Sequence, residues 1–239
     1  VPRCQEFGTK LYESARQAGG EKYAELLTLS YRQVIAGHKI AVDEDGELLF
    51  ISKECFSNGC AATVDVSYPS IPMFLLYAPE LVKGMMRPIY KFASTKAWKY
   101  DFAPHDAGQY PLIEGQVYGL DRATGELLFE KQMPVEECGN MLIMEANVAL
   151  AEGNADFAAS HINTLETWCK YLIKFGDDPE NQLCTDDFAG HLAHNCNLSL
   201  KAVMGIQGMS IIMNMLGDSR KANKYRRAAV RMAKSWCER

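Results

Sequence analysis

The segment Tyr100–Pro111, YDFAPHDAGQYP, sets Asp101, His105 and Asp106 among aromatic rings, with two prolines and a glycine around them. Pro104 and Pro111 fix φ and remove backbone donors, and Gly108 admits a tight approach, so His105 and Asp106 are held at a defined position, either as a site or as a rigid loop whose polar groups satisfy one another. Aromatic residues at 98, 100 and 110 offer walls that exclude water. A second polar stretch, GDDPENQLCTDDFAGHLAHNCN, carries Asp186, Asp187, His191, His194, Asn195 and Asn197 ahead of an apolar run. A third, ISKECFSNGCAATVDVSYPSIP, carries Asp65 and Tyr68 ahead of another. Both stretches end where a helix is expected, and a helix N-terminus favours carboxylates or an anionic ligand through its unpaired N–H groups and dipole. Capping or loop bracing is the alternative role for Asp65, Asn195 and Asn197.

In VEECGNM, Glu136 and Glu137 are adjacent in the first turn of a helix, so they diverge. Either both complement the dipole, or one faces a cavity as general acid or base while the other anchors a loop. Carboxylate-driven proton transfer is the chemistry these residue types supply. Asp106, Glu136, Glu137 and Asp187 are the catalytic candidates, and Asp101, His105, Tyr110, Tyr68, Asn140, His191 and Asn195 the substrate-binding ones. Ser67 and Thr185 are nucleophile candidates only by proximity to the acids. No cofactor is expected. TDDFAGH and HDAG hold hard oxygen ligands suited to Ca²⁺ but lack the EF-hand order, and His105, His191 and His194 suit Zn²⁺ but form no i, i+4 pair.

Helical periodicity must position these residues. EKYAELLTLSYRQVIAG, PELVKGMMRPIYKFA, EECGNMLIMEANVALAEG, DFAASHINTLETWCKYLIKFG and NLSLKAVMGIQGMSIIMNMLG read as amphipathic or nearly enclosed helices, and a last helix follows Asp218 as N-cap. KIAVDEDGELLFIS and QVYGLDRATGELLFEKQ read as β-hairpins. The fold class is mainly α with small β excursions. The connector from Thr95 to Pro134 is far longer than the usual few residues, and long ordered connectors tend to carry function.

Composition excludes several classes. With 48% hydrophobic and 23% charged residues over 239, the chain can bury a sizeable core as one domain, 1–239. A net charge of -5 argues against a nucleic-acid surface, which needs an excess of clustered Lys and Arg, and RKANKYRRAAVRMAK is spaced as the outer face of a helix. No run of 18 apolar residues suggests a membrane span. VPRCQEFGTK lacks the marks of an export signal, and the chain reads as excised from something longer. The cysteines at 4, 55, 60, 138, 169, 184, 196 and 237 are scattered and read as buried thiols; a Cys55–Cys60 bridge is the one pairing singled out, for the case of export.

The runs KYAELLTLSYRQVIAGHK, SKECFSNGCAATVDVSYPSIPMFLLYAPELVK, KYDFAPHDAGQYPLIEGQVYG, MPVEECGNMLIM and KYLIKFGDDPENQLCTDDFAGHLAHNCNLSLKAVMGI, in this order over about 21–217, resemble the central domain of the glutaminase A family. The resemblance implies a segment of a six-hairpin, (α/α) toroid fold also found in glycoside hydrolases, within exported (secreted or periplasmic) multidomain proteins. It further implies hydrolysis of L-glutamine to glutamate and ammonia. The helices counted in the sequence are fewer than a closed toroid needs, so an incomplete barrel, contacts with other domains of the same protein, or self-association is expected. Three readings stand at this point: an amidohydrolase, a glycosidase with a carboxylate pair, and a non-catalytic binding or structural domain. The partner is accordingly a small molecule or a carbohydrate.

Overall fold

A computed structural model describes residues 1–54, 56–187 and 190–239. The proposed Cys55–Cys60 bridge therefore lies outside the described residues. The chain divides into two compact units, Val1–Lys39 and Ile40–Arg239, where the sequence suggests one domain.

In the first unit α1 (Pro2–Gly19) and α2 (Glu21–Ala36) form a helical hairpin. Gly20, at φ 83°, makes the turn, a conformation that favours glycine. Phe7 and Tyr31 meet across the pair with centroids 5.6 Å apart, and the Tyr12 hydroxyl donates to Glu21.

The second unit opens within β1 (His38–Val42), which pairs with β2 (Leu48–Ser52) around the turn at Asp43–Glu47. The strand β2 lies on α5 (Pro79–Ala93), which follows α3 (Val64–Ser67) and α4 (Ile71–Tyr77). Close contact is possible because Gly84 of α5 has no side chain: a Cβ there would stand 2.8 Å from Leu48 Cδ2 and 3.0 Å from Phe50 N. Past β2 the chain turns back as β3 (Cys60–Ala61), with Ala62 N donating to Ser52 O. β3 then pairs antiparallel with β4 (Gly108–Gln109), in the register Cys60 to Gln109 and Ala61 to Gly108.

The remaining helices build the core: α6 (Pro134–Glu152), α7 (Asp156–Ser160), α8 (Ile162–Phe175), α9 (Cys196–Met215) and α10 (Ser219–Glu238). α9 packs against α6, α8 and α10. Met141, Leu142, Leu165, Leu172, Ile206 and Met209 are fully buried, each contributing about 1.5–3 kcal/mol by leaving water. Glycines set the spacing of α6 and α9. A Cβ on Gly205 would lie 3.2 Å from Gly139 Cα, and one on Gly139 would lie 2.7 Å from Lys201 Cγ. α9 is long and apolar enough to cross a membrane, but its apolar surface is largely buried against these neighbours.

The architecture is thus mainly α, as the periodicity implies. The second expected hairpin differs. Over 116–132 only one bridge forms, Leu120 to Leu127, around a turn in which Asp121 O accepts from Gly125 N and Asp121 Oδ1 from Ala123 N. Here the Asp121 side chain organises the turn locally, and cross-strand bonding is confined to Asp121 N with Glu126 O and Leu128 N with Gly119 O, so the hairpin shrinks to a single bridge. Apolar side chains remain exposed on the outer helices, among them Leu26 and Leu29 of α2 and Val230 of α10.

Candidate active site

The segment 98–108 is fixed from several directions. Trp98 and Phe102 are buried and meet edge to face at 5.4 Å, and Trp98 Nε1 donates to Phe102 O at 2.8 Å. Ala103 N donates to Cys138 Sγ on α6 at 3.3 Å. His105 O accepts from Val64 N at 2.9 Å, and Ala107 N donates to Ala61 O at 3.1 Å, so the segment continues the β3–β4 ladder to the start of α3. Gly108 is at φ 147°, and a Cβ would stand 2.9 Å from Ile113 Cα, so only glycine fits. This frame carries His105 to Asp65 on α3 and to Glu137 on α6.

Asp106 is fully buried. Its Oδ2 lies 2.8 Å from His105 Nδ1 and its Oδ1 accepts from Gly108 N at 2.9 Å. That arrangement fixes the ring and leaves His105 Nε2 facing Asp65 Oδ1 at 3.4 Å, a contact close enough for an ion pair but not aligned as a hydrogen bond. Asp65 Oδ2 accepts from the Thr185 hydroxyl at 2.6 Å. One ligating atom each from Asp65, His105 and Glu137 lies within 4.8 Å of the other two. Glu137 is fully buried; its Oε2 accepts from Asn140 Nδ2 at 2.9 Å, and its Oε1 has no hydrogen-bond partner.

Glu136 turns the other way. Its Oε1 pairs with Lys201 Nζ of α9 at 2.7 Å, and its Oε2 accepts from Thr185 N at 2.8 Å, which ties the 177–195 loop to α6. Lys201 Nζ also sits 4.9 Å from the centroid of the Tyr68 ring. Asp65, Tyr68, Glu136, Thr185 and Lys201 line one cavity of about 610 Å³ that also reaches Asp186 and Met204.

Electrostatics follow from this crowding. Burial, reinforced by the charges of Asp65 and Glu136, pushes Glu137 well above the ordinary carboxyl range against the pull of Asn140 and Lys201. Burial also raises Asp65, with His105 and the Thr185 hydroxyl opposing. For His105 burial works downward, but the Asp106 hydrogen bond and the charges of Asp65, Asp106 and Glu54 outweigh it, and its pKa is raised. Burial and the Asp106 charge raise the nearby Cys60 thiol, which keeps it protonated.

Of the residues singled out in the sequence, the structure brings together His105, Asp106, Glu137 and Asn140, with Glu136 and Tyr68 beside them. Asp101 and Asp187 are exposed. Tyr110 is 46% exposed and lines a different cavity, of about 740 Å³, with Tyr100 and Phe92. His191 Nδ1 lies 4.0 Å from Cys184 Sγ. Asn195 caps α9, accepting from Asn197 N and Leu198 N. Ser67 is buried and its hydroxyl bonds that of Ser52. Lys201 is the residue that sequence reasoning passed over, as one more position of an apolar helix. Asp65 stood between a site role and a capping role, and no side-chain cap forms on α3.

Known proteins extend this picture. The family described as "Glutaminase A six helical-hairpin domain" matches residues 20–239. Glutaminase A of Aspergillus oryzae is 35% identical over 222 residues, covering 92% of this chain and 31% of the relative. A probable glutaminase of Arthroderma benhamiae is 28% identical over 274 residues, covering 90% of this chain and 30% of the relative. The chain therefore spans about a third of the length of the curated relatives it matches. With the family matching the whole second unit and about half of the first, this chain belongs to the glutaminase A six helical-hairpin domain family.

Proposed function

We propose that this domain hydrolyses the side-chain amide of L-glutamine to glutamate and ammonia, using a water held where Asp65, His105 and Glu137 converge. The observation that carries the reading is this convergence beside a cavity: three ligating atoms within 4.8 Å of one another, with Asp65 Oδ1 and Glu137 Oε1 both lacking hydrogen-bond partners. Buried polar atoms are nearly always satisfied, and two such carboxyl oxygens in one cluster beside a cavity leave room for a bound water. The names of the relatives support glutamine as substrate.

In this scheme Asp65, facing His105 and the protonated Glu137, accepts a proton from the water as it adds to the amide carbonyl. The same proton is returned to the nitrogen as the C–N bond breaks and ammonia leaves. Lys201, on the cavity wall, supplies positive charge for the oxyanion. Asp106 acts as a positioning residue by fixing His105.

A second reading, glycoside hydrolysis, is favoured by the close spacing of the Asp65 and Glu137 carboxyls. That spacing suits a retaining pair, at about 5–5.5 Å, better than an inverting one. Incubating the complete protein with glutamine and, separately, with a glycan panel separates the two. Ammonia release from glutamine with no reducing-sugar release supports amide hydrolysis, and the reverse outcome overturns it.

A further inference from the structure

We propose that Asp65, His105 and Glu137 bind a divalent transition metal of the zinc class, with a fourth position open to water or substrate. His105 Nε2 and Asp65 Oδ1 stand 3.4 Å apart without hydrogen-bond alignment. That separation matches the edge of a tetrahedron built on metal–ligand bonds of about 2.0–2.1 Å, which is about 3.3–3.5 Å. Glu137 lies within 4.8 Å of both, so closure on one ion needs side-chain movements of ~1 Å to restore normal bond lengths.

The surroundings are those of a ligand set rather than of a plain ion pair. Metal-bound histidines usually donate their other N–H to a carboxylate, and His105 Nδ1 lies 2.8 Å from Asp106, itself held by Gly108 N. Glu137 is oriented by Asn140 through Oε2, and the Thr185 hydroxyl holds Asp65 Oδ2. Both carboxylates keep one buried oxygen without a partner.

Charge points the same way. Among the described residues, the three acids Asp65, Asp106 and Glu136 have Lys201 and, when protonated, His105 as their close ionic contacts. A dication offsets this surplus of negative charge. One imidazole with two carboxylates in a tight buried cluster suits zinc or a similar ion better than Ca²⁺, which takes about 6–8 oxygens at longer distances. Asp65 lines the 610 Å³ cavity, so the open position faces it. A cation here would lower the pKa of its water and take over part of the activation assigned above to the carboxylates.

The site coincides with that of the proposed reaction, but the test needs no substrate, so the two ideas fail separately. The complete protein, without a histidine tag, is stripped with a chelator, loaded with Zn²⁺ alone or Co²⁺ alone, and desalted. About one equivalent of Zn²⁺ per chain should remain, and Co²⁺ should give the intense visible absorption of a four-coordinate ion. Asp65→Asn and Glu137→Gln should each weaken Zn²⁺ binding at least ~100-fold, and Asp106→Asn about 10–100-fold. Glu145→Gln, a buried acid elsewhere, should retain the ion. The Co²⁺ spectrum of the unmodified protein keeps the test decisive even if a variant misfolds. Absence of stoichiometric Zn²⁺, retention in Asp65→Asn and Glu137→Gln alike, or preference for Ca²⁺ would each overturn the proposal.

Discussion

Asp65 Oδ1 and His105 Nε2 face each other at 3.4 Å across the junction between α3 and the segment that continues β4. They are forty positions apart in the sequence, and the β3–β4 pairing, extended by the bonds Ala107 N to Ala61 O and Val64 N to His105 O, brings them together. His105 keeps this orientation because Asp106 holds its other nitrogen. Asp106→Asn can keep one acceptor for Gly108 N but loses the charged partner of the ring. We expect an activity loss of about 10–100-fold, the usual cost of removing an orienting carboxylate. Turnover on the complete protein, with the melting temperature alongside, checks this.

Adjacent acids should behave oppositely. Glu136 is buried in a pair with Lys201 and holds Thr185 N, so Glu136→Gln should destabilise by ~1–3 kcal/mol. A double-mutant cycle with Lys201→Met should show coupling of at least ~0.5 kcal/mol. Glu137 has a carboxylate buried with one oxygen unsatisfied, so in metal-stripped protein Glu137→Gln should melt no lower than the parent. Equal destabilisation by both changes would contradict the assignment of an anchor and a reacting group.

The helices were legible because their periodicity is strong: α2, α5, α6, α9 and α10 lie where the apolar spacing puts them, and Asp218 caps α10 by accepting from Lys221 N. Spacing could not reveal that α3 and the Pro104 segment are partners, since that depends on a two-residue ladder with no pattern of its own. Asp65 was therefore indistinguishable from a capping residue. Lys201 was hidden for a related reason: its role rests on Gly139 and Gly205, which draw α9 close enough for Nζ to reach Glu136. The hairpin expected around Asp121 is cut to one bridge because the Asp121 side chain spends itself on the local turn, which alternation alone does not reveal.

That close approach makes a separate prediction. Gly205→Ala places a methyl 3.0 Å from Leu172 Cδ1 and 3.2 Å from Gly139 Cα. Overpacking of this kind costs ~1–3 kcal/mol. The urea midpoint should fall accordingly, whereas Gly153→Ala, with nothing within 4 Å of its Cβ, should show only the cost of its left-handed backbone at φ 71°.

Glu145 gives the pH dependence. Burial raises its pKa from 4.5 to about 8, although the hydrogen bond from Tyr90 pulls the other way. The folded state therefore holds this proton more tightly than the unfolded one. Its contribution is fully present below about pH 4.5 and is lost as pH rises through 8, by an amount on the order of a few kcal/mol. His161, depressed to about 4 chiefly by burial, acts at the acid end: its contribution is present above 6.5 and lost as pH falls towards 4. Glu145→Gln should abolish the alkaline decline and leave the acid one. Melting curves of the two proteins from pH 4 to pH 9 that stay parallel would contradict the assignment.

The central claim is that Asp65 and Glu137, not the exposed Asp187, bound the reacting water. Its most direct test is kcat/KM for ammonia release from glutamine by the complete protein carrying Asp65→Asn, Glu137→Gln or Asp187→Asn, each first shown to be folded. Losses of about 10²–10⁴ are expected for the first two and a change within about threefold for Asp187→Asn, whose side chain is exposed outside the cluster. Activity within about threefold of the parent for both Asp65→Asn and Glu137→Gln, a loss too small for a removed acid–base group, would contradict it.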